Sequence, residues 1–325
     1  MVPAEGGGDD RVVFTVDDQP YRWDDVFQWA RRRGDWGRME AEVREGLACA
    51  RLASSDFSAG GSTASSRAAA ERFRRDRRLF AAEDLQAWLD ARYLGLSAWR
   101  HWLERAALRE QCADNLGELV ARFPATTEEV DELIWATGVC GGWFARWAGE
   151  VAIRAAAFAA AGTPGPEPED GMQDLEGGFG RFSAAAAAST AIEAAVEAGH
   201  LGWVTVSSVA ARFPTEGAGR EAVLCVHHDG SPLAEVATRA GAPVRDVRLL
   251  VEDAPLGWQA LLASATEGEV IGPVEDGDAF VVLLVTAKVA PSPDDPEVAA
   301  RARALVVERA LRREVDDRVV WHEQL

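Results

Sequence analysis

The stretch from Leu261 to Pro291, LLASATEGEVIGPVEDGDAFVVLLVTAKVAP, constrains the fold more than any other part of the chain. An apolar helix end, a Gly268-Glu269 turn and a Val/Leu-rich strand follow one another in it. A run of β-branched residues bounded by Gly, Asp and Pro reads as a strand. Helical periodicity dominates the first half of the chain, so the protein combines helices with a sheet placed late in the sequence.

At 325 residues and 48% hydrophobic content, the chain is large enough for two domains or one composite domain. No run of eighteen apolar residues occurs, so no membrane span is expected. The opening MVPAEGGGDD has neither a basic nor an apolar region of the export type, which predicts a cytoplasmic protein. Cys49, Cys112, Cys140 and Cys225 lie far apart, with no C-x-x-C pair and no interleaved histidines. That spacing argues against a zinc site and a disulfide framework and predicts reduced, buried thiols, with no cofactor. A net charge of −19 argues against nucleic acid, whose phosphates need clustered Lys and Arg, and favours basic or neutral partners. Lys288 is the sole lysine, which reads as codon bias.

From the N-terminus, Arg11 to Val16 reads as a strand, Asp17-Asp18-Gln19-Pro20 as a turn, and Asp24 as the cap of a helix. Apolar residues at helical spacing follow: Val26, Phe27, Trp29 and Ala30, then Met39, Val43, Leu47 and Ala50. Ser54 to Ser66 reads as a loop, Ala82 to Tyr93 as a helix, and Ser97 as the cap of the next. Thr126 and Glu129 form a capping box, and Trp143 to Ala161 another helix. The Pro, Gly and acid of residues 162–182 read as a linker. After it come a helix from Ser183 to Ala198, a strand from Val204 to Val209, a helix from Glu216 to Val226, a helix near Leu233, a strand from Val244 to Val251, a further helix and the final strand. Pro296 to Glu314 reads as a helix with Asp295 as its cap, and Val319-Val320-Trp321-His322 as an apolar tail.

Gly268, Glu269, Val270, Gly272, Pro273 and Val274, continuing into Ala279, Phe280, Val281, Val282 and Leu283, resemble the closing half of a parvulin-type peptidyl-prolyl isomerase domain, where the segment reads GE-V-S-G-P-V and then GYHII. VVFTVDDQPYRWDDV and RRLFAAEDLQAWLDARYLGLSAWRHWLE resemble the helical region of SurA-like chaperone-isomerases. The resemblance implies an α+β protein: a SurA-like helical domain over 1–161, a linker over 162–182, a connecting helix and small parvulin-like antiparallel-sheet domain over 183–290, and a C-terminal helix over 291–325 that returns to the helical domain.

The same resemblance marks departures. The family's strand histidine falls at Val281, the first-strand histidine is missing near Ser207 and Ser208, and the Cys/Asp loop is cut to Thr238–Pro243. The barrier to rotation about a peptide bond is about 18–20 kcal/mol, and without that polar network efficient isomerisation is not expected. What remains is an apolar groove, with Leu261, Leu262, Phe280, Val281 and Ser207 as candidate peptide contacts. Arg74, Arg75 and Arg78, in the one dense basic cluster, are candidate contacts for acidic groups of a peptide. His227-His228-Asp229 reads as a surface turn and not a metal site.

The whole pattern resembles parvulin-related proteins of ribosomal peptide maturation systems. It implies a non-catalytic accessory protein that holds a precursor or unfolded peptide, with a maturation enzyme as a further partner. An active isomerase and a general cytoplasmic holdase are the alternatives. No nucleic-acid or membrane partner is expected.

Overall fold

The computed structural model describes residues 11–55, 63–162 and 171–323. In chain order the elements begin with β1 (Val12–Val16), β2 (Gln19–Arg22), α1 (Trp23–Arg32), α2 (Asp35–Ser55), α3 (Thr63–Asp76), α4 (Ala82–Asp90) and α5 (Leu96–Gln111). Then come α6 (Leu116–Arg122), α7 (Thr127–Cys140), α8 (Trp143–Ala160), α9 (Gly171–Ala186) and α10 (Ser189–Ala198). The rest are β3 (Thr205–Phe213), α11 (Glu216–Asp229), α12 (Leu233–Arg239), β4 (Val244–Leu250), α13 (Leu256–Ser264), β5 (Val270–Asp276), β6 (Ala279–Val289), α14 (Pro296–Arg318) and β7 (Val319–Trp321). The protein is α+β, with two small antiparallel sheets among many helices.

One compact unit comprises the described residues up to Phe182 together with those from Leu311 onward; the other is Ser183–Ala310.

In the first unit β1 and β2 form a hairpin around Asp17 and Asp18, both at positive φ (46° and 69°). A two-residue turn needs that conformation to follow the strand twist, and Asp tolerates it better than bulkier residues. α1 starts one residue before the expected cap at Asp24, because the Asp25 carboxylate accepts the backbone N–H of Arg22 at 2.7 Å. The core joins Val13 and Phe14 of β1, Val26 and Trp29 of α1, and Trp147 and Val151 of α8. A second cluster forms around Phe73, with the rings of Trp88, Trp99 and Trp102 edge-on to it at 5.3–5.7 Å. The Thr126 box is present, with Glu129 N–H donating to Thr126 Oγ1 at 3.2 Å and Thr126 N–H donating to Glu129 Oε2 at 2.8 Å. α5 is capped by Gly95, two residues before the expected Ser97.

Of the segment read as a linker, residues 163–170 lie outside the described residues, but 171–182 belong to α9. Leu175 is buried in the α1–α8 core. Gly178 is buried, and a Cβ there would stand 2.5 Å from the Phe158 ring, so a glycine that suggests flexibility serves close helix contact instead. Within the Ser54–Ser66 loop, 56–62 also lie outside the described residues, and helix resumes at Thr63. The tail pairs β7 with β1 in the register Phe14↔Trp321 and Val16↔Val319, with Arg318 bonded to Asp17.

The second unit holds a four-stranded sheet in the order β4-β3-β6-β5, all pairs antiparallel. Alternate residues of a strand face opposite sides. Val206, Ala210, Val281, Leu283 and Val285 meet Trp258 and Leu262 of α13 on one face. Ala211, Phe213 and Val282 meet Ala222 of α11 and Leu233 and Val236 of α12 on the other. α10 and the first turns of α14 pack with Leu250, burying Ile192, Val196, Val298 and Ala302. The helix expected over Pro296–Glu314 therefore has its buried start in this unit, and the residues from Leu311 on belong to the first.

Candidate functional site

The α13 side of the four-stranded sheet carries Val281, where the resemblance expects the strand histidine, and Ser208, one of the two serines near which it expects the other. Val281 is 2% exposed and Ser208 5% exposed. Register places Ser208 opposite Val285 and Ala210 opposite Leu283, so Ser208 shares the face of Val281. Both side chains are packed under α13, in a core closed by Trp258, Leu262 and Ile271. A buried imidazole here would need polar partners; the residue across from Val281 on β3 is Arg212, whose guanidinium is engaged by the Asp276 carbonyl and the Asp278 carboxylate, and the packed cluster beside Val281 is apolar.

The five candidate peptide contacts do not converge. Val281 and Leu262 are core residues of this face, Leu262 being 1% exposed. Phe280 pairs with Phe213 and turns to the α11–α12 face, and Ser207 points away from Ser208 beside Arg248. The two-residue strand period separates them, since neighbours in a strand cannot share a face. Of the five, Leu261 alone is exposed, at 42%.

The Gly-Glu and Gly-Pro motif residues have structural work. Glu269 accepts the backbone N–H of Thr266 at 2.8 Å, which together with the Thr266 hydroxyl holds its carboxyl below the ordinary value. Gly272 has φ +117°, and a Cβ there would come within 2.6 Å of the Val281 carbonyl oxygen, at the bulge between β5 and β6. Gly219 of α11 meets Pro273 so closely that a Cβ would stand 2.7 Å from it. Lys288 Nζ donates to the carbonyls of Leu262, Ala263 and Ala265 at 3.0, 2.8 and 2.8 Å, closing the C-terminal end of α13.

α13 itself, LGWQALLAS, has no charged residue, in a chain that is 27% charged. Trp258 and Leu262 point inward, while Leu256, at 86% exposed, and Leu261 point outward with Ala260. Leu256 was not among the sequence candidates; its signal is a helix with apolar residues on both faces.

In the basic cluster, Arg74 donates to the Leu79 and Phe80 carbonyls at 2.9 and 2.6 Å and so closes the end of α3. It also lines a groove of about 540 Å³ with Leu85, Trp99 and Arg100. Arg75 and Arg78 are exposed and make no ion pair among the described residues. His227 and His228 are exposed in the last turn of α11, and no group of three metal-ligating side chains occurs among the described residues.

No family model and no curated protein matches the chain. Solved structures similar to it include PrsA from Bacillus subtilis, at 11% identity and TM-score 0.22 over 95% of this chain and 90% of that one. The foldase PrsA from Streptococcus pneumoniae is 8% identical, with TM-score 0.27 over 92% and 90%. A structure from work describing PEB4 and Cj1289 of Campylobacter jejuni as SurA-like chaperones is 10% identical, with TM-score 0.20 over 95% and 98%. Among the described residues no helix is long and apolar enough to cross a membrane. The Ser183–Ala310 unit joins an antiparallel sheet to an exposed, uncharged helix face, over a core that is apolar at Val281 and closed at Ser208.

Proposed function

We propose that the chain is a non-catalytic peptide-binding accessory protein, of chaperone type, that holds a ribosomally made precursor peptide in the cytoplasm for a modifying enzyme. The observation that carries this reading is the outward face of α13, with Leu256 and Leu261 presented on an uncharged helix. Isomerisation needs polar groups beside a twisted amide, and Val281, where the resemblance expects the strand histidine, and Ser208, one of the two serines near its other histidine, lie in a packed interior. Peptide capture needs only apolar contact area with a tolerant rim. The acidic balance of −19 favours a basic or neutral client.

The test uses the full chain. A labelled precursor-type peptide is titrated with the parent and with a Leu256→Glu/Leu261→Glu variant, and cis-to-trans conversion of an Ala-Pro peptide is followed in parallel. Binding by the parent, loss of at least about tenfold in the variant, equivalent to 1.4 kcal/mol, and no conversion are expected. Conversion at an ordinary parvulin rate makes the chain an isomerase. Equal binding of unrelated unfolded chains makes it a general holdase.

A further inference from the structure

Two of the four cysteines, remote in sequence, come together in space. Cys49 lies on α2, 1% exposed, and Cys112 follows the last residue of α5, part-exposed. Cys49 is buried in one small cluster with Ala48 and Leu119, and Cys112 packs against that cluster together with Leu108. The two helices are held together here by other contacts. A Cβ on Gly46 would stand 3.2 Å from Arg105 Cβ, and Arg109 pairs with Glu42 at 3.0 Å and Glu45 at 3.7 Å. Cys140 packs in a different cluster, and Cys225 belongs to the second unit.

We infer that Cys49 and Cys112 form a modification site, a thiol pair that closes into an intramolecular disulfide on meeting a small-molecule disulfide of the glutathione class. Cys112, the more accessible sulfur, gives up its proton and attacks one sulfur of the small disulfide. That S–S bond breaks, one thiolate leaves, and Cys112 carries a mixed disulfide. Cys49 Sγ then attacks Cys112 Sγ, the second small thiolate departs, and the Cys49 proton goes to it. Two protein thiols lose two electrons and two protons, and one small disulfide becomes two small thiols. The order follows from environment: Cys49 is buried and Cys112 part-exposed, and burial, then the neighbouring Cys112, pushes the Cys49 thiol up to about 12, so Cys49 is the resolving sulfur and not the first nucleophile. The product ties α2 to the C-terminal end of α5.

The folded full-length protein is incubated with oxidised glutathione, quenched with an alkylating reagent, digested without reduction and mapped by mass spectrometry. A peptide linking Cys49 to Cys112 is expected, together with a rise in the unfolding temperature that a reductant reverses. Because Cys49 is in the core, Cys112→Ser at the helix end is the control variant, checked for native circular dichroism. It should yield no cross-link and no temperature rise. Two outcomes overturn the inference: a stable glutathione adduct on Cys112 with Cys49 still free, or alkylation of both residues after unfolding of the treated protein.

Discussion

Lys288 Nζ lies 2.8 Å from the carbonyl oxygen of Ala265, and the same ammonium reaches the carbonyls of Leu262 and Ala263. The last carbonyls of a helix have no partner within it, and an ammonium offers three donors from one point. A guanidinium spreads its donors in a plane and does not match three converging acceptors. The single lysine of an arginine-rich chain thus stands where lysine geometry is useful.

Lys288→Met leaves those carbonyls without a donor and is expected to destabilise the second unit by about 1–3 kcal/mol, with Lys288→Arg recovering only part. Chemical denaturation measures the loss. Since Lys288 is the sole lysine, trace labelling of side-chain amines reads its protection directly, and labelling as fast as a free amine would contradict the contact.

Gly272→Ala places a Cβ 2.6 Å from the Val281 carbonyl oxygen at φ +117°. Such a conformation is strained for any L side chain and the neighbour is backbone, so a loss of about 2 kcal/mol or more is expected. A midpoint of unfolding equal to the parent's would show that the β5–β6 bulge relaxes without cost.

Leu262→Ala and Leu256→Ala separate core from contact surface. Leu262, 1% exposed, should cost about 2–5 kcal/mol of stability. Leu256, 86% exposed, should leave stability within about 0.5 kcal/mol and lower peptide affinity. Thermal unfolding and titration on the same samples decide this, and the reverse pattern would move the binding surface off α13.

Tyr21 supplies a pH dependence. Burial, then the nearby Asp25 charge, raises its phenol from 10.0 to about 12. The folded state therefore holds the proton more tightly than the unfolded chain, and stability is full below about pH 10 and declines as pH rises toward about 12. In Tyr93→Phe, which leaves Tyr21 as the sole tyrosine, tyrosinate absorbance should appear only with unfolding. Absorbance rising at an ordinary tyrosine pH in folded protein would refute the burial argument.

Helical spacing was enough to place α1 and α2, because a helix buries a stripe that recurs along its own sequence. The order of strands and helices from β3 to α13 was also legible, as were the Thr126 box and the Gly268-Glu269 turn, whereas β5 was not read as a strand of its own. α9 was not, because its glycines read as flexibility until Phe158 is placed against Gly178. The candidate site was legible only as a neighbourhood.

The sequence by itself determined most of the local structure: which segments are helix or strand and where the turns fall. Tertiary structure alone decided which way each side chain faces and what it meets. Phe280 and Val281 are adjacent in the chain yet serve opposite faces of the sheet, and Cys49 and Cys112 are remote in the chain yet share one packed cluster. Propensity and periodicity act over one or two turns of backbone, whereas the packing of α13 on β6 or α2 on α5 depends on contacts between residues distant in sequence.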